Sequence, residues 1–269
     1  MNMNKSPLRY PGGKSKALTQ ILPQIPFDIQ EFREPFVGGG SVFLGFQYSR
    51  ILFPTTYWIN DLNYDLYCFW KAAKERNQEL VQEIKKFRDT YSEGRDLYKV
   101  LTNKTNACSD FELAIRFFIL NRITFSGTVD SGGYSQKAFE ERFTESSLER
   151  LSNIAPCLSL VKITHGDYEE LIIKEGKDVF IFLDPPYYQA TKSKLYGVRG
   201  ALHTSFDHER FASTMRKCNH KWLITYDDSP EIRQLFSFAK IVEWELQYGM
   251  NNYKKKYAAK GKELFIKNY

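Results

Sequence analysis

VFIFLDPPYYQ, residues 179–189, joins five apolar residues to an acid, two prolines and two tyrosines. Val179–Leu183 predicts a short strand buried on both faces, because no polar residue alternates with the apolar ones. Pro185 and Pro186 end this strand, since proline donates no ladder hydrogen bond. Asp184 stands at the end of a buried strand, where a charge is costly. The stretch predicts either a functional carboxylate on a stiff turn or a strand that simply ends in a capped proline turn.

Strand-like and helix-like runs alternate on both sides of this stretch. Such alternation predicts an α/β fold with a mainly parallel sheet that helices cover. Long helix-like runs fill much of residues 67–157, so we expect a helical insertion between two parts of one α/β domain, residues 1–66 and 158–269. The other strand-like runs are YWIN (57–60), LSLVKIT (158–164), KWLITY (221–226), KIVEWEL (240–246) and ELFIKN (263–268), and HERFASTMRKC (208–218) is helix-like.

The composition limits the class of protein. The 269 residues are 42% hydrophobic and 16% aromatic, with a formal net charge of +6 that suits nucleic acid without requiring it. No apolar run approaches the roughly 20 residues of a membrane span, and the start lacks a signal-peptide core, so we expect a soluble, cytoplasmic protein. The cysteines are widely spaced and the histidines scattered, which predicts neither a disulfide framework nor a metal site.

Two glycine-rich segments near the start are candidate ligand-binding turns. In REPFVGGGSVFLGF (33–46), the glycines at 38–40 fall where a strand turns into a helix, so a ligand could approach the backbone closely. A plain tight turn is the alternative. PGGKSK (11–16) is not a triphosphate loop, because Leu8 stands where that loop needs a glycine. Lys14 could hold a carboxylate or a phosphate, or the segment is a solvated arm.

Two acids follow predicted strands. Asp61 stands about 20 residues after the glycines, the spacing at which nucleotide-binding α/β folds place an acid for the ribose hydroxyls. A helix N-cap is the alternative reading of Asp61. Asp167 could accept a proton from an adenine amino group or cap a helix. A glycine turn with two such acids, and no triphosphate loop, indicates an adenosine-type cofactor whose tail is not a phosphate.

The chain resembles the Dam-like adenine-specific DNA methyltransferases (class D, alpha-group) of bacteria and phages over nearly its whole length. DPPY (184–187) resembles their catalytic motif, EPFVGGGSVFLGF their S-adenosylmethionine motif, and LRYPGGKSK their N-terminal cofactor motif. The order of the motifs is also similar. The resemblance implies a Rossmann-like S-adenosylmethionine-dependent methyltransferase sheet with an inserted helical target-recognition domain. The cofactor contacts that it implies are Tyr10, Lys14, Glu34, Phe36, Gly38, Gly39, Gly40, Asp61, Asp167, Tyr168 and Asp184.

The same resemblance implies catalytic roles for Asp184, Pro185 and Tyr187. The amino group of adenine is weakly nucleophilic, because its lone pair is shared with the ring. The Asp184 carboxylate and the Pro185 carbonyl would accept its two hydrogens, and the prolines would hold both acceptors in place. Tyr187 would stack on the target base after that base leaves the duplex.

DNA contacts are implied in two segments. One is the loop that follows LNR (120–122), and the other is YKKKYAAKGKELFIK (253–267), which has six lysines and one acid. Family members that read GATC carry a basic residue in the first loop, whereas this loop has Asp130 and no arginine, which argues against GATC. A flexible loop and a solvated basic face are the alternatives. The predicted contacts are Arg122, Ser126, Asp130, Tyr134, Ser135, Gln136, Lys254, Lys255 and Lys256.

The resemblance thus implies a site-specific enzyme that transfers a methyl group from S-adenosylmethionine to the N6 atom of adenine in double-stranded DNA. The same chemistry on cytosine N4, RNA adenine or a protein glutamine is an alternative. A non-catalytic DNA-binding module with a residual cofactor fold is another, and a nucleoside-triphosphate-dependent enzyme is a third. We expect no metal and no membrane partner, and a location in a bacterial or phage-infected host cell. A cognate restriction endonuclease, the recognition sequence and the oligomeric state stay open.

Overall fold

A computed structural model describes residues 5–50, 54–103, 108–129, 132–188, 206–247 and 260–269. The predicted α/β fold is confirmed, with one seven-stranded sheet in the order β3-β2-β1-β4-β5-β7-β6. The predicted Asp130, Lys254, Lys255 and Lys256 lie outside the described residues. The strands are β1 (Glu31–Glu34), β2 (Thr56–Asp61), β3 (Val161–His165), β4 (Val179–Leu183), β5 (Lys221–Asp227), β6 (Lys240–Gln247) and β7 (Lys260–Lys267).

The sheet is mainly parallel, as predicted. β1 pairs in parallel with β2 and with β4, and the parallel pairs β2–β3 and β4–β5 extend the sheet on either side. β7 is antiparallel to both β5 and β6 and lies between them. Strand order reverses between β1 and β4, and open α/β sheets bind ligands beside such a reversal.

Helices connect the strands and cover the sheet. Side chains cap several of them: Asn63 accepts from Leu66 N at the start of α3, and Ser109 and Glu112 form a capping box at α6. The helices of the described residues are α1 (Leu18–Ile21), α2 (Ser41–Ser49), α3 (Tyr64–Glu75), α4 (Asn77–Thr90), α5 (Gly94–Thr102), α6 (Asp110–Ile123), α7 (Gln136–Arg142), α8 (Glu145–Ser152), α9 (Ala155–Leu158), α10 (Glu169–Ile173), α11 (His208–Lys217) and α12 (Pro230–Leu235).

The sheet separates two hydrophobic cores. Alternate residues of β4 enter different cores: Phe180 and Phe182 belong to one, and Val179, Ile181 and Leu183 to the other. All five residues of β4 are buried, which explains why its sequence shows no polar alternation. None of the helices in the described ranges is long and apolar enough to cross a membrane.

Helices α3 to α9 occupy the chain between β2 and β3, where the helical insertion was predicted. The predicted boundary at residues 66 and 67 falls inside α3. This helix packs on the sheet, since Trp70 Nε1 donates to Gly38 O at 3.1 Å and Lys74 Nζ to Val161 O at 2.8 Å. Residues of α4, α5, α6 and α8 also join the core on this face. The division into a catalytic and a target-recognition domain stays a prediction.

Candidate active site

One cavity of about 540 Å³ opens at the carboxyl ends of β1, β2 and β4. This is the edge of the sheet at which α/β folds bind ligands. The structure brings to its wall every residue that was predicted as a cofactor contact or as catalytic. They are Tyr10, Lys14, Glu34, Phe36, Gly38, Gly39, Gly40, Asp61, Asp167, Tyr168, Asp184, Pro185 and Tyr187.

The glycine turn between β1 and α2 needs glycine for two reasons. Gly38 and Gly40 have φ angles of +45° and +68°, which other residues rarely adopt. A Cβ atom on Gly38 would also lie 2.9 Å from the ring of Tyr10. The turn therefore makes room for the N-terminal arm (residues 5–16) as well as for a ligand, a packing role that the sequence did not indicate.

Asp61 ends β2 and holds this turn. Its carboxylate oxygens accept from Gly38 N at 2.9 Å and from Asn63 N at 3.0 Å. Burial raises the pKa of Asp61, and these backbone bonds oppose that shift. The N-cap of α3 is Asn63, so the alternative reading of Asp61 as that cap is wrong. A carboxylate has about four acceptor sites, so Asp61 can also accept from a ribose hydroxyl.

Glu34 ends β1 as a second buried acid, with only 3% of its surface exposed. Its Oε2 accepts from Phe43 N, in the first turn of α2, at 2.9 Å. Burial raises the pKa of Glu34 well above its usual range, and the negative charges of Asp184 and Asp61 add to this, while the Phe43 bond and Lys14 oppose it. The charged form of Glu34 is therefore costly in this place without a bound cation.

An aromatic recess forms one end of the cavity. The ring centroid of Phe36 lies 5.4 Å from that of Tyr168 and 5.8 Å from that of Phe206. Tyr168 is 6% exposed, and its buried hydroxyl has no hydrogen-bond partner among the described residues. Burial raises the pKa of Tyr168 to about 12, so the hydroxyl keeps its proton as a donor.

Asp167 lies at the rim of this recess in an ion pair. Arg210 of α11 donates to its two oxygens at 2.8 and 3.0 Å. Burial acts to raise the pKa of Asp167, but the Arg210 bonds, the bond from Glu169 N and the charge of Arg210 together outweigh it, so the pKa is lowered. Asp167 also accepts from Glu169 N at 2.9 Å, at the start of α10. The N-cap of α10 is Tyr168, so the alternative reading of Asp167 as that cap is wrong. The adenine contact stays a prediction.

Asp184 follows β4 and is held from two sides. Lys14 Nζ lies 2.7 Å from its carboxylate, and Thr225 of β5 donates to Oδ1 at 2.7 Å. Lys14 is 5% exposed and the Asp184 side chain 21%. Lys14 Nζ also donates to Gly12 O at 3.1 Å and lies 4.9 Å from the centroid of the Tyr187 ring. The N-terminal arm thus reaches the end of β4.

The turn after Asp184 is anchored to β5 and β7. The Tyr187 hydroxyl donates to Glu263 Oε2 at 2.9 Å, and Tyr188 N donates to Asp227 Oδ1 at 2.9 Å. Pro185 is buried between the two anchored ends. Residues 184–187, which follow β4, are therefore held in one conformation by contacts at both ends.

Arg122, at the end of α6, is buried and forms no ion pair with an acid of the described residues. It is 2% exposed, and its Nε and Nη2 atoms have no hydrogen-bond partner among the described residues. Burial, and then repulsion by Arg150, Arg9 and Arg142, lowers its pKa to about 9. We call these four residues the arginine cluster. A cationic cluster with unpaired donors suits an anion.

Asn121 links this cluster to the cavity. Its Oδ1 accepts from Arg9 N at 3.0 Å, and its Nδ2 donates to Arg9 O at 2.8 Å and to Gly127 O at 3.1 Å. Arg9 is thereby fixed beside the end of α6. The next residue, Tyr10, lines the cavity.

The loop that follows is closed by an antiparallel bridge between Thr124 and Tyr134. Phe125 is 61% exposed on it, and Ser126 has a φ of 55°. Ser135 is buried and caps α7 by accepting from Ala138 N, while Gln136 is exposed and Tyr134 half-buried.

Sequence reasoning missed several residues that hold this site. Thr225 and Asp227 lie on a buried strand, so their polarity was an available signal. Glu263 was placed in the strand-like run ELFIKN (263–268), but it was counted only as the lone acid of a lysine-rich segment, so its contact with Tyr187 was not predicted. Arg210 gave no signal, because its contact with Asp167 depends on how α11 lies against the loop after β3.

The cavity fits an adenosyl cofactor. Its volume lies within the roughly 300–1000 Å³ of small-molecule sites. The aromatic recess and the unpaired Tyr168 hydroxyl suit a purine, and Asp61 suits a ribose. Glu34, Asp61 and Asp184 outnumber Lys14, which suits a ligand with positive charge.

The model of the D12 class N6 adenine-specific DNA methyltransferases matches residues 10–250. The chain is 29% identical to the Type II methyltransferase M.MjaIII of Methanocaldococcus jannaschii over 220 residues, 70% of this chain and 71% of that one. It is 26% identical to a DNA adenine methylase of Vibrio cholerae over 257 residues, 90% of this chain and 88% of that one. A match of this extent shows that the chain belongs to the D12 class of N6 adenine-specific DNA methyltransferases, with S-adenosylmethionine as the methyl donor.

Proposed function

We propose that the cavity holds the cofactor and the target adenine together, with Asp184, Pro185 and Tyr187 as the catalytic residues. The observation that carries this proposal is that Asp184 and Tyr187 line the same cavity as the glycine turn and Asp61. Methyl transfer requires the amine and the donor in one place, since the two must approach within contact distance.

Within this proposal the chain's own groups prepare the amine. The bound cofactor would supply an electrophilic methyl group. The sulfonium–methyl bond would break as the methyl–N6 bond forms, S-adenosylhomocysteine would leave, and N6 would release one proton. Asp184 and the Pro185 carbonyl accept the two amino hydrogens, which makes the nitrogen more tetrahedral and frees its lone pair. Lys14 and Thr225 fix the carboxylate, so little reorganisation is left for the transition state.

The target adenine enters the cavity as a flipped base. It is unreachable inside a duplex, and unstacking it costs a few kcal/mol. The half-buried ring of Tyr187 offers a face on which the adenine stacks, and this offsets part of the cost.

DNA lies against the arginine cluster and the adjoining loop in this proposal. Arg122 has unpaired donors for a backbone phosphate, and Phe125 offers an exposed ring for base stacking. Asn121 holds this face next to the cavity through Arg9. Ser126, Tyr134 and Gln136 provide further contacts, whereas the buried Ser135 supports the loop as a helix cap.

The recognition sequence and the cellular setting are finer points of the same proposal. We infer a short site other than GATC and a cytoplasmic location, where bacterial and phage DNA lies. The proposed chemistry uses a carboxylate and a carbonyl, so methyl transfer should survive EDTA.

The test is transfer of labelled methyl from S-adenosylmethionine to unmethylated genomic DNA, followed by nucleoside analysis and mapping of the sites. Wild type should yield N6-methyladenine in one short motif. Asp184→Ala should yield none while still binding the cofactor, and Asp28→Ala, which removes an exposed acid, should match wild type. The proposal is contradicted if wild type binds the cofactor but transfers no methyl group to DNA, or if the methylated base is cytosine.

A further inference from the structure

β7 contributes a buried carboxylate to the centre of the sheet's antiparallel part. Glu263 is 1% exposed, and its cross-strand neighbours are Asp227 on β5 and Trp244 on β6. It shares a face with Phe265, a member of the hydrophobic core. A charge in such a place costs free energy unless a strong hydrogen bond compensates for it.

Glu263 and its cross-strand neighbour Asp227 each accept a hydrogen bond from the proposed catalytic turn. Glu263 Oε2 accepts from the Tyr187 hydroxyl, and Asp227 Oδ1 accepts from Tyr188 N, both at 2.9 Å. Two consecutive residues of the turn are thus held by two carboxylates that face each other across one strand pair. This arrangement constrains the ring of Tyr187 at its far end and the backbone beyond it.

We propose that Glu263 is a positioning residue for methyl transfer, which holds the Tyr187 ring at the orientation that stacks on the flipped adenine. The inference rests on the proposed function, in which that ring is the stacking surface. Glu263 does not line the cavity, and Tyr187, to which it is hydrogen-bonded, does.

The chemistry of the bond supports this role. A phenol donating to a carboxylate makes a charge-assisted hydrogen bond, stronger than a neutral one. Packing alone would be served by phenylalanine at 187 and an apolar residue at 263, with no charge to bury. The bond instead fixes a half-buried ring whose face lines the cavity, which is the arrangement that preorganisation of a stacking surface requires.

The experiment removes the bond from either end and compares the effects. Tyr187→Phe keeps the ring and removes the hydroxyl, Glu263→Met removes the acceptor, and Glu263→Gln keeps an acceptor. We would assay these three single variants for kcat and for cofactor affinity. The same assays would be applied to the double variant that combines Tyr187→Phe with Glu263→Met, and to Tyr187→Ala. Glu243→Gln, an exposed acid on the neighbouring β6, is the matched control.

Tyr187→Phe should lower kcat about tenfold, the effect of losing one hydrogen bond to a charged group, with cofactor Kd within twofold of wild type. Glu263→Met should lower kcat to the same extent, Glu263→Gln should restore most of it, and the double variant should be no worse than either single one. The control should match wild type.

Wild-type kcat in Tyr187→Phe would overturn the inference, even if Glu263→Met fails to fold. The inference would also be overturned if Glu263→Met lowered kcat by the same factor in Tyr187→Phe as in wild type. Glu263 would then act through a residue other than Tyr187. If Tyr187→Ala is inactive while Tyr187→Phe is fully active, the stacking role survives and only the positioning role fails. If Tyr187→Ala is fully active, the proposed function itself is wrong at this residue.

Discussion

Lys14 Nζ lies 2.7 Å from the carboxylate of Asp184, although 170 positions separate the two residues in the chain. The lysine comes from the N-terminal arm and the acid from the turn after β4. This single ion pair therefore ties the arm to the proposed catalytic turn. Breaking it should lower the stability of the folded protein.

Replacing Lys14 by Met should destabilise the protein by roughly 3 kcal/mol, because removing one partner of a buried ion pair leaves the other uncompensated. Chemical unfolding without cofactor measures this. The double variant Lys14→Met, Asp184→Asn should recover much of the loss, since no charge is then left alone. Equal stability of the single and double variants would show that the pair does not couple.

Thr225→Val should lower kcat about tenfold, because it removes the hydrogen bond that orients Asp184 while keeping the shape of a buried side chain. Thr225→Ser restores the hydroxyl and should recover most of the activity. Cofactor affinity should change little in either variant. A loss of kcat that serine does not rescue would point to packing instead.

Glu34→Gln should stabilise the cofactor-free protein near neutral pH. The folded pKa of Glu34 is raised, so above about pH 4.5 the unfolded chain has released a proton that the folded protein still holds, and wild-type stability falls as pH rises. Glutamine does not titrate. Below about pH 4.5 the two proteins should therefore converge, with a gap at higher pH of about 1.4 kcal/mol per unit of pKa difference. Urea unfolding across pH measures this gap, and a gap independent of pH would contradict the reading.

Arg122→Met should weaken DNA binding and reduce the slope of log K against log salt by about one, as expected for one lost phosphate contact. The folded protein should be at least as stable, since an unpaired buried charge is removed. Arg76→Met is the matched control, because Arg76 already pairs with Glu79. A salt slope equal to that of wild type would exclude a phosphate contact at Arg122.

The sequence predicted the elements of the fold better than their arrangement. VFIFL was correct to the residue as β4, because a run of apolar residues before two prolines leaves few alternatives. The position of β7 between β5 and β6 could not be read from the chain, since strand order depends on long-range pairing that local patterns do not encode. The start of α3 at Tyr64 was missed for a smaller reason, the capping of that helix by Asn63.

The motif residues of the candidate site were predicted from the sequence. The residues that hold them in place by hydrogen bonds were not. Asp61 and Asp184 each follow a predicted strand, so the sequence alone places both acids at the edge of the sheet. Thr225 and Glu263 are polar residues in predicted strands, but that signal does not say which residue each one contacts across the sheet. Contacts within a motif join residues that are close in the sequence. The contacts that orient this motif are made by residues of strands far away in the sequence.

The place of β7 has a consequence for how the protein is made. β6 pairs only with β7 among the described strands, and β7 follows it in the chain. A nascent chain that ends before residue 260 would leave β5 with an open edge and β6 unattached, both prone to pair with other chains. The sheet can close only after synthesis has passed Lys267. A newly made polypeptide should therefore be unable to methylate DNA until that moment.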